Sequence, residues 1–316
     1  MTDTEQPVDG SDGGRASGNG LPGLPAPPPP GAAALPAGTY AGQLVLVTGG
    51  GTGLGRAVAA EFARLGADLL IASRHEEHLL GAREELAAVP GSGRVAVAVC
   101  DIRDPERVAE VFDEAEAAAG RTPDVLVNNA AANFPCPAED LSPNGWRAVV
   151  DITLTGTWFM TREFGRRHLA AGTPGSIVSL GASYAWTGGP GFAASAAAKA
   201  GVKNLVETLA VEWGPYGIRI NGLVPGLFPH EDMTEAIRDG MARAGQGAAA
   251  DRRQPALRAG LPRELGWAAT FLASPYARYI TGHTLVVDGA NWQRRAVVNP
   301  EVVPVRTQLG REPFRR

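Results

Sequence analysis

Residues 43–56 read QLVLVTGGGTGLGR, and they carry the strongest signal for the architecture of the chain. A short apolar run ends at Thr48, a glycine-rich turn follows, and a helical pattern begins at Leu54. Glycine permits a tight turn, and the free N–H groups at a helix start attract phosphate. A strand, a glycine turn and a helix in this order are typical of a dinucleotide site. The loop residues that we assign to the dinucleotide are Gly49, Gly51, Thr52, Gly53, Leu54 and Gly55.

The pattern that begins at residue 43 repeats along the chain. Short apolar runs alternate with longer amphipathic stretches, which is typical of βα units and a parallel sheet. Strands are predicted at 43–48, 68–73, 95–100, 125–128, 176–180, 219–224 and 284–287. Helices are predicted at 54–66, 76–88, 105–119, 144–171, 193–214 and 262–273. The predicted fold class is α/β, a single doubly wound Rossmann-type domain with a seven-stranded parallel sheet.

The two ends of the chain differ from this pattern. Residues 1–40 are rich in Gly, Pro, Ser and Ala, so they bury too little apolar surface to offset their ordering entropy. We expect a disordered extension there. Residues 41–290 should form the nucleotide-binding domain, and residues 291–316 form a tail without clear periodicity.

Composition excludes several classes of function. The net charge of −4 is spread without a basic stripe, so no nucleic-acid partner is expected. The sequence has neither a long apolar run nor a signal peptide, which predicts a protein without membrane association, in the cytoplasm. Cys100 and Cys136 are expected to stay reduced, and the histidines lack the spacing of metal ligands, so no metal is expected.

The end of the second predicted strand indicates which dinucleotide binds. An acidic residue there would accept from the ribose 2′-OH of NAD and repel a phosphate, but this chain has Ser73 and Arg74. A hydroxyl and a guanidinium both bind a 2′-phosphate, so NADP(H) is predicted. Arg74 could instead be a solvated residue at a helix start. Asp101, after the third strand, could accept from the adenine amino group or cap the next helix.

Three motifs resemble the short-chain dehydrogenase/reductase family in order and spacing: the glycine loop, Asn128-Asn129-Ala130, and Pro225-Gly226. The resemblance covers about residues 42–290. It implies that Asn129, Pro225, Gly226 and Lys199 bind the cofactor. Most members carry a tyrosine four residues before the lysine and a serine thirteen residues before that tyrosine. Here these positions hold Ser195 and Ala182, so the proton donor of an ordinary ketoreductase is missing.

One branch of the family matches this departure, the mitochondrial type of 2,4-dienoyl-CoA reductase. The chain resembles it in NNAAANF at 128–134, LSPNGW at 141–146, SYAWTG at 183–188, SAAAKAG at 195–201 and DIRDP at 101–105. In that branch the tyrosine stands fifteen residues before the lysine, as Tyr184 stands before Lys199.

This resemblance implies NADPH-dependent reduction of a conjugated enoyl or dienoyl thioester, with an acyl-CoA as substrate and a place in fatty acid metabolism. Tyr184 and Asn133 would donate to the thioester oxygen, and Lys199 and Ser195 would complete the catalytic set. The residues assigned to substrate are Arg103, Phe134 and Ser142. Members of the family commonly pair their long helices, which implies a homo-oligomer, a tetramer or a dimer.

Lys199 also stands out by composition. It is one of two lysines, beside Lys203, among 29 basic residues. A compact ammonium can bind both ribose hydroxyls, where a guanidinium would not fit in the same way. Ser195 lies four residues earlier and therefore shares its helix face. The alternative is an ordinary surface lysine.

Two other functions remain open. No motif is recognised in residues 227–239, which cover the substrate in relatives, and Thr153 replaces an asparagine that many relatives carry. The substrate could therefore be another unsaturated or carbonyl metabolite of specialised metabolism. Loss of the ordinary tyrosine also allows a nucleotide-binding protein without catalysis.

Overall fold

Seven parallel strands form one sheet in the computed structural model, which describes residues 21, 23–230, 254–293 and 303–312. In chain order the strands are β1 Leu44–Thr48, β2 Asp68–Ser73, β3 Val95–Val99, β4 Val125–Asn128, β5 Gly175–Leu180, β6 Ile218–Pro225 and β7 Thr284–Val287. Their order across the sheet is β3-β2-β1-β4-β5-β6-β7. The predicted seven-stranded parallel sheet is confirmed.

Helices cover both faces of the sheet. One face packs against α1 Gly53–Arg64, α2 Glu76–Ala87 and α8 Pro262–Ala273. The other packs against α3 Pro105–Ala119, α5 Thr157–Ala171 and α7 Ala193–Trp213. Successive strand residues point to opposite faces, so Val45 and Val47 join one core and Leu44 and Leu46 the other. The central strands β1 and β4 are apolar up to their last residue, without alternation, because both of their faces are buried.

The predicted helix 144–171 is divided in the structure. It consists of α4 Pro143–Val150, a π-helical segment Asp151–Gly156, and α5. Gly156 packs on the loop after β3, where a methyl group would lie 2.6 Å from Ile102 Cγ1. The Thr157 hydroxyl bonds to the Thr153 carbonyl at 2.8 Å. The prediction of a continuous α-helix was wrong at residues 151–156, because the close contact of Gly156 with Ile102 favours a wider turn there.

Two helix starts follow their sequence signals. The Asp104 carboxylate accepts from the N–H groups of Glu106 and Arg107, with Pro105 in the first turn of α3. Ser142 Oγ accepts from Gly145 N at 3.0 Å, and Pro143 opens α4. The predicted N-cap at Ser142 is confirmed.

Residues 23–40 run along α8. Side chains of the domain donate to their backbone: Arg258 to the Pro25 carbonyl, Arg263 to that of Pro28, and Trp267 to that of Ala32. Tyr40 is fully buried, and its hydroxyl donates to the Thr270 carbonyl at 2.5 Å. This part differs from the expected disorder because backbone carbonyls provide acceptors without large side chains. Residues 1–20 and 22 lie outside the described residues, so their disorder stays a prediction.

Two short helices were not predicted, α6 Tyr184–Thr187 and α9 Val305–Gln308. Both are single turns, too short for a periodic pattern to identify. The predicted tail therefore contains a helical turn, whose packing is described below. None of the helices in the described part of the chain has both the length and the apolar character of a membrane span.

Candidate active site

The reversal of strand order between β1 and β4 places the site. From β1 the chain proceeds outward to β2 and β3, and it then returns to β4 on the other side of β1. The loops after β1 and β4 therefore diverge and leave a crevice at the carboxyl edge of the sheet. The glycine loop follows β1, and Asn129 to Asn133 follow β4. Nearly all predicted site residues lie along this edge.

The glycine loop has the shape of a phosphate cradle. Gly49 has φ +64°, a conformation that favours glycine. At Gly55 a methyl group would overlap the Gly49 carbonyl and the Asn129 amide, so helix and loop approach as only glycine allows. Thr52 stands at the N-cap of α1 and makes no side-chain capping bond. These features fit a dinucleotide pyrophosphate at the helix start.

Side chains after β4 hold this loop in place. Asn129 Nδ2 donates to the Thr48 carbonyl at 3.0 Å and to the Gly49 carbonyl at 3.2 Å. Thr48 Oγ1 accepts from the backbone N–H groups of Asn129 and Ala130 at 3.0 and 3.1 Å. Asn129, which the resemblance placed at the cofactor, thus shapes the cradle by bonding to its backbone. Thr48 was named only as the start of the motif.

Charged side chains follow β2 and β3, and the Asp101 carboxylate among them is paired with an arginine. Ser73 Oγ accepts from the His75 N–H at 3.4 Å, and Arg74 is exposed beside it. Asp101 forms a bidentate pair with Arg103, whose Nη2 lies 2.5 Å from Oδ2 and whose Nε lies 3.0 Å from Oδ1. This hydrogen bonding lowers the pKa of the Asp101 carboxyl below its ordinary value. Two residues that we assigned to adenine and substrate are therefore bonded to each other.

Two of the other predicted catalytic side chains, Ser195 and Asn133, converge on the Tyr184 hydroxyl. Ser195 Oγ lies 2.9 Å from it, and Asn133 Nδ2 donates to it at 3.4 Å. The Phe192 ring stacks on the tyrosine with an interplanar angle of 9° and 6.0 Å between centroids. Tyr184 opens α6, Ser195 lies on α7 and Asn133 follows β4, so three separate elements assemble the cluster.

Burial keeps the phenol protonated. It raises the pKa of Tyr184 above 10, more than the hydrogen bond with Ser195 lowers it. The cluster consequently presents neutral hydrogen-bond donors at neutral pH. Such donors can stabilise an oxygen that becomes negative during a reaction, whereas a carboxylate would oppose that charge.

Lys199 lies on α7, one turn after Ser195. Its ammonium is buried and donates to the Leu180 carbonyl at 2.5 Å, at the end of β5. Burial without an acidic partner lowers its pKa from 10.5 to about 8. No hydrogen bond joins Lys199 directly to Tyr184 among the residues that the structure describes. The position excludes an ordinary surface lysine, the alternative that the sequence left open.

Thr153 fixes the backbone next to Asn133. It is fully buried in the π-helical segment, and its Oγ1 accepts from Ala132 N at 3.1 Å and donates to Ala132 O at 3.3 Å. One hydroxyl therefore satisfies both peptide groups of the residue before Asn133. This contact was missed from the sequence, although the departure at position 153 marked the place.

The remaining assigned residues lie nearby or serve the fold. A methyl group on Gly145 would lie 3.1 Å from Phe134 Cζ, so Phe134 packs at the start of α4, where Ser142 acts as the cap. Gly226 N donates to the Val287 carbonyl at 2.9 Å, which holds the Pro225-Gly226 turn beside β7. Within the described ranges, no cluster of His, Cys, Asp or Glu could hold a metal ion. Most of the segment 227–239 lies outside these ranges.

Asn128 is a further residue whose role the sequence did not reveal. It is buried at the end of β4, and its Nδ2 donates to Thr161 Oγ1 at 2.9 Å and to Ser179 Oγ at 3.3 Å. It therefore ties β4 to α5 and β5 below the site. An asparagine at the end of an apolar strand was the available signal.

Known proteins are similar to this chain over most of its length. The family model described as enoyl-(acyl carrier protein) reductase matches residues 49–290. A protein of Bacillus subtilis named as a probable 2,4-dienoyl-CoA reductase is 40% identical over 254 residues, which are 79% of this chain and 96% of that protein. An uncharacterised oxidoreductase of Caenorhabditis elegans is 40% identical over 256 residues, 81% of each chain.

A solved structure is also similar. A short-chain dehydrogenase from Bacillus anthracis has a TM-score of 0.70 and 37% identity, and the match covers 79% of this chain and 96% of that chain. The chain thus combines the glycine cradle, this strand order and the lysine of α7 with extensive sequence similarity to these proteins. The chain belongs to the short-chain dehydrogenase/reductase family, as its motifs predict.

Proposed function

We propose that this oxidoreductase reduces a conjugated enoyl or dienoyl thioester with NADPH. The observation that carries the proposal is the convergence of the Tyr184 hydroxyl and the Asn133 amide, 3.4 Å apart, at a place where the family's ordinary tyrosine is replaced by Ser195. Two neutral donors aimed at one region suit an oxygen that gains charge. The similarity to a protein named as a dienoyl-CoA reductase supports the same substrate class.

The chemistry follows from conjugation. When bound, a reduced nicotinamide would supply a hydride to the end of the conjugated system that lies far from the thioester. Electron density then moves onto the thioester oxygen, where the Tyr184 and Asn133 donors stabilise it. The Tyr184 phenol is protonated at neutral pH, so it can donate a hydrogen bond to this oxygen and later a proton to the dienolate.

Ser195 and Lys199 support this arrangement. Ser195 bonds to the Tyr184 hydroxyl and so fixes its direction. Lys199 lies one turn further along α7, where its ammonium can bind the ribose hydroxyls of the cofactor. The carbonyl of Leu180 orients the ammonium from the sheet side.

The cofactor proposed is NADPH. Ser73 and the exposed Arg74 end β2 without a carboxylate, and the Asp101 carboxylate is bonded to Arg103. A 2′-phosphate would therefore meet a guanidinium and a hydroxyl. In the variant Arg74→Asp we expect the NADPH to NADH preference to reverse, measured as the ratio of kcat/KM values. Arg83→Asp, a change at an exposed arginine on α2, is the matched control. An unchanged ratio in Arg74→Asp would contradict the proposal.

The substrate handle is proposed to be coenzyme A, with Arg103 as a phosphate contact and Phe134 and Ser142 beside the acyl group. Arg103 is partly exposed in its pair with Asp101, so its guanidinium has faces open to a phosphate. Ser142 can contact substrate only while it also caps α4. We further propose a homo-oligomer, which light scattering of the purified protein tests directly.

The test is NADPH oxidation followed by absorbance with 2,4-dienoyl-CoA, and with a panel of unsaturated ketones and aldehydes. We expect turnover of the dienoyl thioester and a loss of about 10²- to 10³-fold in kcat for Tyr184→Phe. Tyr279→Phe, a change at a fully exposed tyrosine, should leave kcat unchanged. Turnover confined to the ketones and aldehydes would favour the alternative substrate class, and no turnover at all would favour a non-catalytic protein.

A further inference from the structure

The segment after β7 reaches the loops that carry the catalytic donors. Residues 291–293 and 303–312 lie beyond the family match, which ends at residue 290. In α9, Arg306 Nη1 lies 3.0 Å from Glu139 Oε1 and 2.8 Å from Asp140 Oδ1. Both carboxylates belong to a 3-10 turn, Ala138–Asp140, that begins five residues after Asn133. The tail is therefore anchored to the loop that continues from one donor.

The same helix packs on the loop that supports the other donor. A methyl group built on Gly191 would lie 3.5 Å from Val305 Cγ1 and 3.8 Å from Leu309 Cδ1, so these side chains cover Gly191. The Gly191 carbonyl accepts from Cys136 N at 2.8 Å, which joins the two loops. Gly189 in this loop lies against Tyr184, where a methyl group would be 3.0 Å from its Cβ.

A second contact comes from Trp292. Its ring stacks on Trp186 of α6, with 5.3 Å between centroids and an angle of 23°. Trp186 is two residues after Tyr184. The chain after β7 thus contacts residues 184–192 at two separate points, Trp186 and Gly191.

Burial within the tail is one-sided. Val305, Arg306 and Leu309 are half-buried, and the other described residues of 303–312 are exposed. A four-residue helix has no stability of its own, so these contacts hold it. Two of these three side chains are aliphatic, and Phe134 and Trp186 remain 40% and 37% exposed beside the same loops.

We propose that Trp292 and the helical turn of residues 305–309 form one wall of the substrate entrance and determine which acyl chains the enzyme accepts. The identity of the substrate rests on the proposed function. Val305 and Leu309, with the partly exposed aromatic rings, supply the apolar surface that suits an alkyl chain. Arg306 is a positioning residue, because it acts by holding the wall against the Ala138–Asp140 turn.

The test breaks the anchor in the full-length protein. Arg306→Asp places like charges together, and a second change, Asp140→Arg, restores an opposite pair. Arg311→Asp, at an exposed arginine in the same segment, is the matched control for charge. Hydrogen exchange of peptides covering 134–141 and 184–192 is measured without substrate, and kcat/KM is measured with short, medium and long dienoyl-CoA chains.

We expect Arg306→Asp to speed exchange in both peptides and to change the ratio of kcat/KM for long and short chains by about tenfold. The added Asp140→Arg should reverse both effects, and Arg311→Asp should cause neither. Affinity for NADPH should stay unchanged. If Arg306→Asp and the wild type had equal hydrogen exchange rates, or equal ratios of kcat/KM for long and short chains, the proposed wall would be refuted. Failure of the wild type to turn over any dienoyl thioester would instead overturn the proposed function, while the exchange data would still report on the anchor.

Discussion

The burial of Lys199 predicts a pH dependence that an exposed lysine would not show. Burial lowers its pKa from 10.5 to about 8, so the ammonium loses its proton as the pH rises through 8. The charged fraction falls to about one half at pH 8 and to about one tenth at pH 9. A lysine with a pKa of 10.5 would be about 97% charged at pH 9. Binding of the ribose hydroxyls should follow this fraction.

The assay is kcat/KM for NADPH as a function of pH, because this parameter reports the ionisation of the free enzyme. We expect a fall of about tenfold between pH 7 and pH 9. Lys199→Arg keeps its charge over this range, so its lower activity should not fall with a limb near pH 8. Tyr184 does not compete for the assignment, since burial raises its pKa above 10. A flat wild-type profile to pH 10, or the same limb in Lys199→Arg, would refute the reasoning.

The same pKa has a consequence for stability with a definite sign. Between pH 8 and pH 10.5 the unfolded chain binds a proton at Lys199 that the folded chain does not, so the free energy of unfolding rises with pH. The cost of burying the ammonium is fully present below pH 8 and is gone above 10.5. Relative to Lys199→Met, the wild type should gain about 3 kcal/mol across this window in urea unfolding. A constant difference would mean that the lysine is solvated.

Three further predictions concern the cradle and the donors. Thr153→Val removes the hydroxyl that bonds to both peptide groups of Ala132, so kcat should fall at least tenfold with little change in NADPH affinity. Thr153→Ser keeps the hydroxyl and should retain the activity, and equal activity of the valine and serine variants would contradict a positioning role. Gly55→Ala places a methyl group against the Gly49 carbonyl, so NADPH affinity measured by fluorescence titration should fall more than tenfold while the fold is retained by circular dichroism. Asn133→Asp puts a carboxylate where negative charge develops, so kcat should fall about 10²-fold and recover partly at low pH as the carboxyl is protonated. An unchanged kcat in this variant would exclude Asn133 as a donor.

The strands and most helices could be predicted because their signals are local. Each signal lies within a few residues of the structure that it specifies, as in the run of Val and Leu in β1, the glycine turn after it and the Ser142-Pro143 start of α4. The π-helical segment could not be predicted, since it depends on the contact of Gly156 with Ile102 in a distant loop. Periodicity continues through such a segment almost unchanged.

The catalytic candidates were identified by spacing, but their surroundings were not. The fifteen-residue separation selected Tyr184 and Lys199, and the structure brings Tyr184, Ser195 and Asn133 together. The pairing of Asp101 with Arg103 had a local signal, since a carboxylate two residues before an arginine after a strand can turn back on it. The ion pair of Arg306 with Asp140 joins residues 166 apart, and a single sequence contains no signal for such a contact.

Residues 25–32 should tolerate substitution better than the side chains that bind them. Arg258, Arg263 and Trp267 grip main-chain oxygens, which are the same in every amino acid. The composition of this segment can therefore change without loss of these contacts, provided that the backbone keeps its course and the turn of residues 29–32, where Gly31 has φ +92°. The donors lie on α8 and just before it, so a different segment joined to residue 40 could accept hydrogen bonds from the same three side chains.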